Sequence, residues 1–184
     1  MTDQYHPIAW LSHPSIRRQS TVPPTFVETT PLLQEVRQEW LANPFHLMLS
    51  GPAGSGKTHA AVEILEEYAK TSTSQYRGSY LAYLSMVTLE DMLDEALKEY
   101  RRIDSAIEGM RWRSIVVLDD FGTERKTEFM EKAIWKILEE RFDKPTVITT
   151  NLSRPEILEK YGTRISSRLQ AFKNVKFTGP DLRR

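Results

Sequence analysis

The chain has 184 residues, a length that suits one domain with a full hydrophobic core rather than two. Its 25 basic side chains balance 25 acidic ones, so no overall charge attracts nucleic acid or an anionic membrane, and such contacts need a local patch or an assembled oligomer. It contains no cysteine, which excludes disulfides and thiolate metal sites, and no apolar run typical of a membrane span or secretory signal, so we expect a cytoplasmic protein without membrane contact.

The amino-terminal stretch is rich in proline and shows no sustained hydrophobic period. Five prolines interrupt it, so the sequence predicts an extended arm over residues 1–31. Residues 32–184 form the predicted globular domain. Its first helix runs from Leu32 to Leu41, where apolar residues recur at helical spacing, and Asn43-Pro44 ends it.

The rest of the chain alternates apolar strands with amphipathic helices. Five runs predict strands, namely FHLMLS, SYLAYLSM, SIVVLDD, TVITTN and VKF. Capping boxes predict helix starts at Thr88 and Ser153, and a last helix is predicted near Arg164 to Phe172. Val-, Ile- and Leu-rich strands between such helices are typical of a parallel sheet covered on both faces. The predicted fold class is therefore α/β, a three-layer sandwich with a parallel five-stranded sheet.

A glycine-rich loop separates the first of these strands from the next helix. It matches the phosphate-loop pattern G-x-x-x-x-G-K-[ST] and consists of Gly51, Pro52, Ala53, Gly54, Ser55, Gly56, Lys57 and Thr58. The glycines let successive backbone N–H groups point at phosphate oxygens, and the helix that begins here adds its positive end. Lys57 is predicted to reach the β- and γ-phosphates and Thr58 to ligate Mg²⁺, with His59 as a further nucleotide contact.

Polar residues end two of the later strands. A carboxylate at the carboxyl end of a buried parallel strand points into the crevice where ligands bind, so Asp119 is predicted to hold Mg²⁺ through water. Asp120 would then orient or deprotonate the attacking water. Asn151 ends the predicted strand TVITTN and is a candidate contact to the γ-phosphate or that water. A helix N-cap or a turn residue is the alternative for Asn151.

The order of these motifs resembles a known group of ATPases. The phosphate loop, VVLDDFG, VITTN, GTRISSRL and the terminal FTGPDLRR look like the corresponding segments of the AAA+ ATPases of the DnaC/DnaI/IstB group, the replicative helicase loaders and transposition helper ATPases. VPPTF, residues 22–26, also resembles a proline-rich segment of that group. The resemblance implies an AAA+ type P-loop fold without a separate lid domain. It also implies ATP and Mg²⁺ as cofactors and a slow hydrolysis of ATP to ADP that assembly or DNA stimulates.

The same resemblance implies roles for three arginines. Arg168, in the run SSRL, resembles the arginine finger that reaches the γ-phosphate of a neighbouring subunit, and Arg164 is the alternative. Arg183 resembles the terminal arginine that serves as sensor 2. A solvated helix face and a basic tail are the structural alternatives. The implied partners are further copies of the chain, single-stranded DNA, and a replicative helicase or a transposase.

Several points stay open at this stage. Loaders of the group usually have a separate amino-terminal domain that grips the helicase, and three alternatives stay open here: that domain is missing, the arm replaces it, or another protein supplies it. Four basic residues lie near the two ends of the strand that leads to Asp119, namely Arg111, Arg113, Arg125 and Lys126. They indicate either a nucleic-acid surface or ordinary surface charge. By the resemblance, the predicted function is an ATP-hydrolysing accessory protein of DNA replication, similar to a helicase loader, that oligomerises on single-stranded DNA, and a transposition helper ATPase is the alternative. The competing functions from other classes are a small-molecule P-loop kinase and a module that holds ATP without hydrolysing it.

Overall fold

A computed structural model describes residues 31–71, 81–98, 104, 107, 110, 111 and 113–178. Helices and strands alternate along it, as the hydrophobic periods predict. The helices are α1 (Pro31–Ala42), α2 (Lys57–Thr71), α3 (Met86–Lys98), α4 (Glu128–Glu140) and α5 (Arg154–Leu169). The strands are β1 (Leu47–Ser50), β2 (Leu81–Ser85), β3 (Ile115–Phe121), β4 (Thr146–Thr150) and β5 (Lys173–Lys176).

The five strands form one parallel sheet in the order β2-β3-β4-β1-β5. The chain leaves β1 for β2 at one edge, returns through β3 and β4, and passes beyond β1 to β5. Ligands of open α/β sheets bind at the carboxyl ends of the strands, where the strand order reverses. Here β4 lies between β1, which leads into the glycine-rich loop, and β3, which carries Asp119 and Asp120.

Helices cover both faces of the sheet and produce the three-layer sandwich that the sequence predicts. Successive strand residues point to opposite faces. Met48 and Leu118 join a core under α3, α4 and α5, whereas Leu49 and Val117 join a second core under α1 and α2. Each such side chain, once fully buried, stabilises the fold by about 1.5–3 kcal/mol. The carboxyl ends of the strands are therefore held in place by packed side chains on both faces of the sheet.

The beginning of α3 differs from the prediction. A capping box with Thr88 as the N-cap predicts a helix that starts after Thr88, but α3 begins at Met86, directly after β2. Met86 and Leu89 are both fully buried, so the apolar stripe extends the helix toward its amino end. The capping prediction is wrong because burial of Met86 outweighs a local capping preference worth about 1 kcal/mol.

The segment α5 consists of two helices. Gly162 interrupts it with non-helical dihedral angles, φ 73° and ψ −177°, which agrees with the two separate helices of the sequence prediction. A continuous helix would separate Arg154 from Leu169 by about 22 Å, far beyond the reach of one side chain. Instead, the Arg154 guanidinium donates to the carbonyl oxygens of Leu169 at 2.9 Å and Phe172 at 3.1 Å. The two halves therefore fold back on each other at Gly162.

Two parts of the sequence prediction fall outside the described residues. The arm predicted over residues 1–31 is one of them, apart from Pro31, which begins α1. Arg183 is the other, so its proposed role stays a prediction. Among the helices that the structure does describe, none combines the length and the apolar character needed to cross a bilayer.

Candidate nucleotide site

The glycine-rich loop joins β1 to α2 at the carboxyl edge of the sheet. Lys57 is the first residue of α2 and is only 5% exposed. Its Nζ donates to the Pro52 carbonyl oxygen at 2.7 Å, and the Ser55 hydroxyl donates to the same oxygen at 2.8 Å. The loop is thereby closed over the helix N-terminus. Backbone N–H groups and the helix dipole favour an anion such as a phosphate group at that position.

The remaining loop residues surround this position. Pro52 and Ala53 are exposed, whereas Gly54 and Gly56 have φ angles of 75° and 92°. His59, in the first turn of α2, has its Nε2 atom 3.3 Å from Oε1 of Glu63 on the same helix. The structure therefore places His59 beside a carboxylate of its own helix, and a contact between His59 and a nucleotide stays a prediction.

Thr58 and Asp119 are brought together from positions 61 residues apart. The Thr58 hydroxyl donates to Oδ1 of Asp119 at 2.9 Å, and Asp119 is fully buried. Two oxygens at adjacent corners of an octahedral Mg²⁺ site, each about 2.1 Å from the ion, lie about 3 Å apart. The pair therefore fits Mg²⁺. No group of three or more His, Asp or Glu side chains suited to a metal occurs among the described residues.

Thr149 is a site residue that the sequence analysis missed. It is fully buried on β4, and its hydroxyl donates to Oδ1 of Asp119 at 2.6 Å. The Thr149 hydroxyl oxygen in turn accepts the backbone N–H of Asp120 at 2.9 Å. The available signal was a pair of threonines inside the apolar strand VITTN, because a buried hydroxyl requires a hydrogen-bond partner. Thr149 thus holds both aspartates against β4.

Asp120 has an unusual backbone conformation. Its φ of 58° lies in the left-handed region, which residues other than glycine rarely adopt. The register between β3 and β4 also shifts between Leu118 and Phe121, as in a β-bulge. Bulges redirect side chains at strand ends, and strained backbone of this kind concentrates at functional sites. The part that Asp120 plays in activating water stays a prediction.

Asn151 lies directly after β4 and is exposed at the same edge of the sheet. The N-cap of α5 is Ser153, which accepts the backbone N–H of Glu156 in a complete capping box, as predicted. The N-cap alternative for Asn151 is therefore wrong, because Ser153, two residues later, is the N-cap of α5. A contact between Asn151 and the γ-phosphate stays a prediction.

Arg168 lies near the amino ends of the strands, whereas the phosphate loop lies at their carboxyl ends. It lines a cavity of about 200 Å³ together with His46 and Thr146, which stand at the amino ends of β1 and β4. Its guanidinium pairs with Glu139 on α4. The structure therefore does not bring Arg168 together with the phosphate loop of its own chain.

Arg164, the alternative finger, is held in a different way. Its guanidinium carbon lies 3.6 Å from the centroid of the Trp135 ring on α4, a cation–π contact. Both arginines follow Gly162 in the second half of α5, about one helical turn apart. An aromatic face thus holds Arg164, whereas a carboxylate holds Arg168.

The four basic residues near β3 do not form one patch. Arg125 and Lys126 follow the carboxyl end of β3, whereas Arg111 and Arg113 precede its amino end. Arg125 is paired with Glu90 on α3, and this hydrogen-bonded carboxylate raises the pKa of the guanidinium. The residues therefore lie at opposite edges of the sheet, and Arg125 already has an anionic partner.

A family model described as IstB-like ATP binding protein matches residues 28–164, which is more than half of the chain. The chain belongs to this family. The matched range includes the phosphate loop, Asp119 and Asn151. The family thus identifies the nucleotide of the site as ATP, and it confirms the predicted resemblance to the DnaC/DnaI/IstB group.

Two curated relatives of this IstB-like chain are proteins of insertion sequences. One, described as an ATP-binding protein of insertion sequence IS232 from Bacillus thuringiensis subsp. berliner, is 25% identical over 126 residues, which is 66% of the chain and 46% of that protein. The other, described as an IS21-like ATP-binding protein from Bacteroides fragilis, is 31% identical over 75 residues, 40% of the chain and 28% of that protein. The chain spans less than half the length of these relatives.

Solved structures confirm the predicted fold of the IstB-like chain. The DnaC helicase loader has a TM-score of 0.68 at 21% identity, over 81% of the chain and 92% of that structure. DnaI has a TM-score of 0.72 at 18% identity, over 88% and 94%. The replication initiator DnaA, solved with AMPPCP and single-stranded DNA, has a TM-score of 0.69 at 21% identity, over 87% and 52%. The chain has the α/β P-loop fold of these AAA+ proteins.

Proposed function

We propose that the chain is a Mg²⁺-dependent ATPase that assembles on DNA and assists a transposase. One observation carries the ATPase part: Thr58 of the phosphate loop and Asp119 of β3 lie 2.9 Å apart, in a site that also holds the buried Lys57. A phosphate cradle, a cation and a pair of metal ligands thus share one edge of the sheet. The IstB-like family and the insertion-sequence relatives favour transposition as the process.

The site residues divide the work of phosphoryl transfer between them. Lys57 donates to a neutral carbonyl of its own loop and would exchange this acceptor for the β- and γ-phosphate oxygens, which bind an ammonium group more strongly. Thr58 and Asp119 would hold the Mg²⁺ that neutralises phosphate charge. Asp120, at the bulge after Asp119, would orient or deprotonate the attacking water. Asn151 would contact that water or the γ-phosphate.

Rapid hydrolysis in this arrangement requires a second copy of the chain. Arg168 lies at the amino edge of the sheet, and a five-residue strand such as β4 is about 16 Å long. The guanidinium of Arg168 can therefore serve only the γ-phosphate of a neighbouring subunit, after it leaves Glu139. An arginine supplied in this way stabilises the charge that develops on the transferred phosphoryl group. We expect turnover to rise when subunits assemble.

DNA is the proposed scaffold for this assembly. The formal net charge is zero, so DNA binding would depend on residues that neighbouring subunits bring together rather than on overall attraction. Lys126 is exposed beside the phosphate-site edge and is a candidate for such a surface. The kinship with insertion-sequence proteins supports DNA as the partner.

A replicative helicase loader is the second candidate function. The order of motifs through GTRISSRL and FTGPDLRR, which resembles the loaders as well as the transposition helpers, favours it. The two functions use the same nucleotide site and differ in the protein partner. A pull-down with the transposase of the same element and with the replicative helicase of the host distinguishes them.

Steady-state ATP hydrolysis tests the proposed activity. The purified chain is assayed alone, with single-stranded DNA and with duplex DNA, in each case with and without Mg²⁺. We expect slow, Mg²⁺-dependent turnover that rises with protein concentration and with DNA. Phosphorylation of an added small-molecule acceptor would instead indicate a kinase. A chain that binds ATP but shows no turnover under any of these conditions would be a binding module, and the proposal would be refuted.

A further inference from the structure

A buried carboxylate follows the two aspartates of the site in the chain, just after β3. Glu124 is only 3% exposed and accepts the backbone N–H of Gly122 at 3.0 Å. The Tyr161 hydroxyl, from the first half of α5, donates to the same carboxylate, and Nζ of Lys160 lies 3.2 Å from it. Burial, followed by the nearby Glu124 charge, raises the pKa of the Tyr161 hydroxyl. The hydroxyl therefore stays protonated and donates its hydrogen bond to Glu124 at any physiological pH. We refer to Glu124, Lys160 and Tyr161 as the glutamate cluster.

The glutamate cluster holds a tight turn that begins at Asp120. The Asp120 carbonyl oxygen accepts the Thr123 backbone N–H at 3.1 Å and the Thr123 hydroxyl at 2.8 Å. Gly122 is the third residue of this turn, with a φ of 105°, a conformation typical of glycine in type II turns. A Cβ atom at Gly122 would lie 2.5 Å from Cδ1 of Leu152. The turn is therefore fixed in conformation and packed against the chain after β4.

Lys160 completes the restraint on the backbone. Its Nζ donates to the carbonyl oxygens of Gly122 at 2.6 Å and Glu124 at 2.8 Å, besides its ion pair with the Glu124 carboxylate. The N–H of Gly122 and both carbonyls thus depend on two charged side chains. The first half of α5 is in this way tied to the segment that follows β3.

The segment held in this way begins at the metal-site aspartates. On one side, the Thr149 hydroxyl holds the Asp119 carboxylate and the Asp120 N–H. On the other side, the glutamate cluster holds the turn that starts at the Asp120 carbonyl. Asp120, whose left-handed φ is uncommon for a residue other than glycine, lies between these two anchors, which restrain its backbone from both sides.

We propose that Glu124, with Lys160 and Tyr161, is a positioning residue that sets the geometry of Asp119 and Asp120 for Mg²⁺ and water. The proposal rests on the proposed ATPase function but can be tested without turnover. A buried ion pair adds little stability compared with well-packed apolar side chains of similar volume. What the charged pair adds here is one defined backbone geometry, since Glu124 and Lys160 hold the N–H and C=O groups of the turn directly.

Two conservative substitutions, Glu124→Gln and Tyr161→Phe, test this role. Glu124→Gln keeps the shape of the side chain but presents an amide NH₂ group to neighbours that are all donors. Tyr161→Phe removes one donor and leaves the other two. The matched control is Glu128→Gln, the same chemical change at a side chain that is 82% exposed in the first turn of α4. Denaturant unfolding of each variant verifies that it is folded.

ATP and ADP affinities are measured by calorimetry without metal and over a series of Mg²⁺ concentrations, and kcat and KM are measured at saturating Mg²⁺. Loss of a residue that orients a metal ligand typically weakens metal affinity 10- to 100-fold. We expect Glu124→Gln to raise the Mg²⁺ concentration for half-maximal ATP binding about 10-fold and Tyr161→Phe about 3-fold, with kcat falling in parallel. Metal-free ADP affinity and KM should stay within about twofold of the parent, since Lys57 and the loop are untouched.

Two results would overturn the positioning role. One is a Mg²⁺ requirement and kcat in both folded variants equal to those of the parent and of Glu128→Gln. The other is a loss of metal-free ADP affinity by the same factor as the loss of Mg²⁺ affinity, which would indicate a purely structural cluster. If the parent itself hydrolyses no ATP, the proposed function fails, and the Mg²⁺ titration of ATP binding still decides the role of Glu124.

Discussion

At the scale of single residues, the charge of the nucleotide site rests on Lys57 and Asp119. Both are buried, so neither is screened by water as a surface charge would be. The hydrogen bonds described here join Lys57 to the Pro52 carbonyl and Asp119 to the hydroxyls of Thr58 and Thr149. A phosphate group and a metal ion are stronger partners than these, so each side chain is poised to exchange its contacts when ligand binds.

Replacing Lys57 tests the phosphate contact. We expect Lys57→Ala to weaken ATP binding about 100-fold, because one charge-assisted hydrogen bond contributes up to about 3 kcal/mol. The fold should survive, since the side chain contacts only its own loop in the bonds described. Calorimetric titration with ATP measures the effect. Lys126→Ala, which removes an exposed lysine, is the control. Equal ATP affinity in folded Lys57→Ala and the parent would remove Lys57 from the site.

Replacing Asp119 tests the metal contact. Asp119→Asn keeps an oxygen that can accept from Thr58 and Thr149, but the amide lacks the charge that attracts Mg²⁺. We expect ATP binding that no longer responds to Mg²⁺, together with loss of turnover. ATP affinity with and without Mg²⁺, followed by steady-state hydrolysis, measures both effects. Hydrolysis at the parental rate would show that Asp119 does not hold the metal.

At the scale of elements, the fold-back of α5 depends on Gly162. Its φ of 73° and ψ of −177° belong to a region that is essentially restricted to glycine, although a Cβ atom there would meet no other atom within 4 Å. We expect Gly162→Ala to destabilise the protein by about 1–3 kcal/mol from backbone strain alone. Urea denaturation measures the change. In a continuous helix the same substitution would stabilise by about 0.5–1 kcal/mol, so a gain in stability would contradict the fold-back.

The end of α4 is joined to the sheet by a buried arginine. Arg141 is 1% exposed, and its guanidinium donates to the carbonyl oxygens of Met110, Arg113 and Pro145 and to the Thr146 hydroxyl. Burial lowers the pKa of Arg141 to about 10, so the guanidinium stays charged at neutral pH. One planar group thus connects α4 with the amino ends of β3 and β4.

A lysine at position 141 cannot replace this arginine. An ammonium group is a point donor and lacks the planar fork that reaches several acceptors at once. We expect Arg141→Lys to destabilise the protein by about 3 kcal/mol, since at least one buried carbonyl loses its donor. Denaturant unfolding measures the loss. The control is Arg125→Lys at an exposed ion pair, which should change stability far less because solvent screens that pair. Similar losses at both positions would contradict the role assigned to Arg141.

At the scale of the whole molecule, the metal site and Arg168 occupy opposite edges of one sheet. A subunit that supplies its metal site to one neighbour can therefore supply its arginine to another. With Arg168 as the proposed finger, such an arrangement would make hydrolysis a property of the assembly, because neither end of the sheet alone would contain all the groups. The ion pair with Glu139 would hold the Arg168 guanidinium within its own chain until a neighbouring subunit binds.

Arg168→Ala tests this arrangement. We expect the variant to bind ATP as the parent does but to hydrolyse it on the order of 10³-fold more slowly, as for other arginine fingers. Arg164→Ala, one turn earlier and stacked on Trp135, is the control that removes a neighbouring arginine. Parental turnover in Arg168→Ala, under conditions where the parent is oligomeric, would exclude Arg168 as the finger. Loss of turnover in Arg164→Ala instead would transfer the role to Arg164.

Mixing two inactive variants separates a shared site from a site within one chain. Arg168→Ala has an intact metal site and Asp119→Asn has an intact arginine, so some mixed interfaces would contain both. We expect the mixture to recover part of the parental ATPase activity, which neither variant shows alone. The activity is followed as the ratio of the two variants changes. A mixture that stays inactive while mixed oligomers form would contradict an arginine supplied by the neighbouring subunit.

The sequence by itself determined the type of most elements and the core of the site. The phosphate loop can be recognised from the sequence because its eight residues are consecutive and lie between an apolar strand and a segment with helical hydrophobic spacing. Asp119 is readable because the sheet is parallel, so that the carboxyl ends of strands share an edge. These features depend on local spacing, which a single sequence contains. The arm, Arg183 and the finger role of Arg168 stay predictions.

Only the tertiary structure decided which distant residues complete the site. Thr149 meets Asp119 because β3 and β4 pair with Leu118 opposite Ile148, just before the register shifts, and a different pairing by one residue would turn the Thr149 hydroxyl to the other face. The glutamate cluster forms because α5 folds back at Gly162 and places Lys160 and Tyr161 beside the turn after β3. These contacts depend on strand register, backbone strain and helix packing, which are set by the whole core rather than by local spacing.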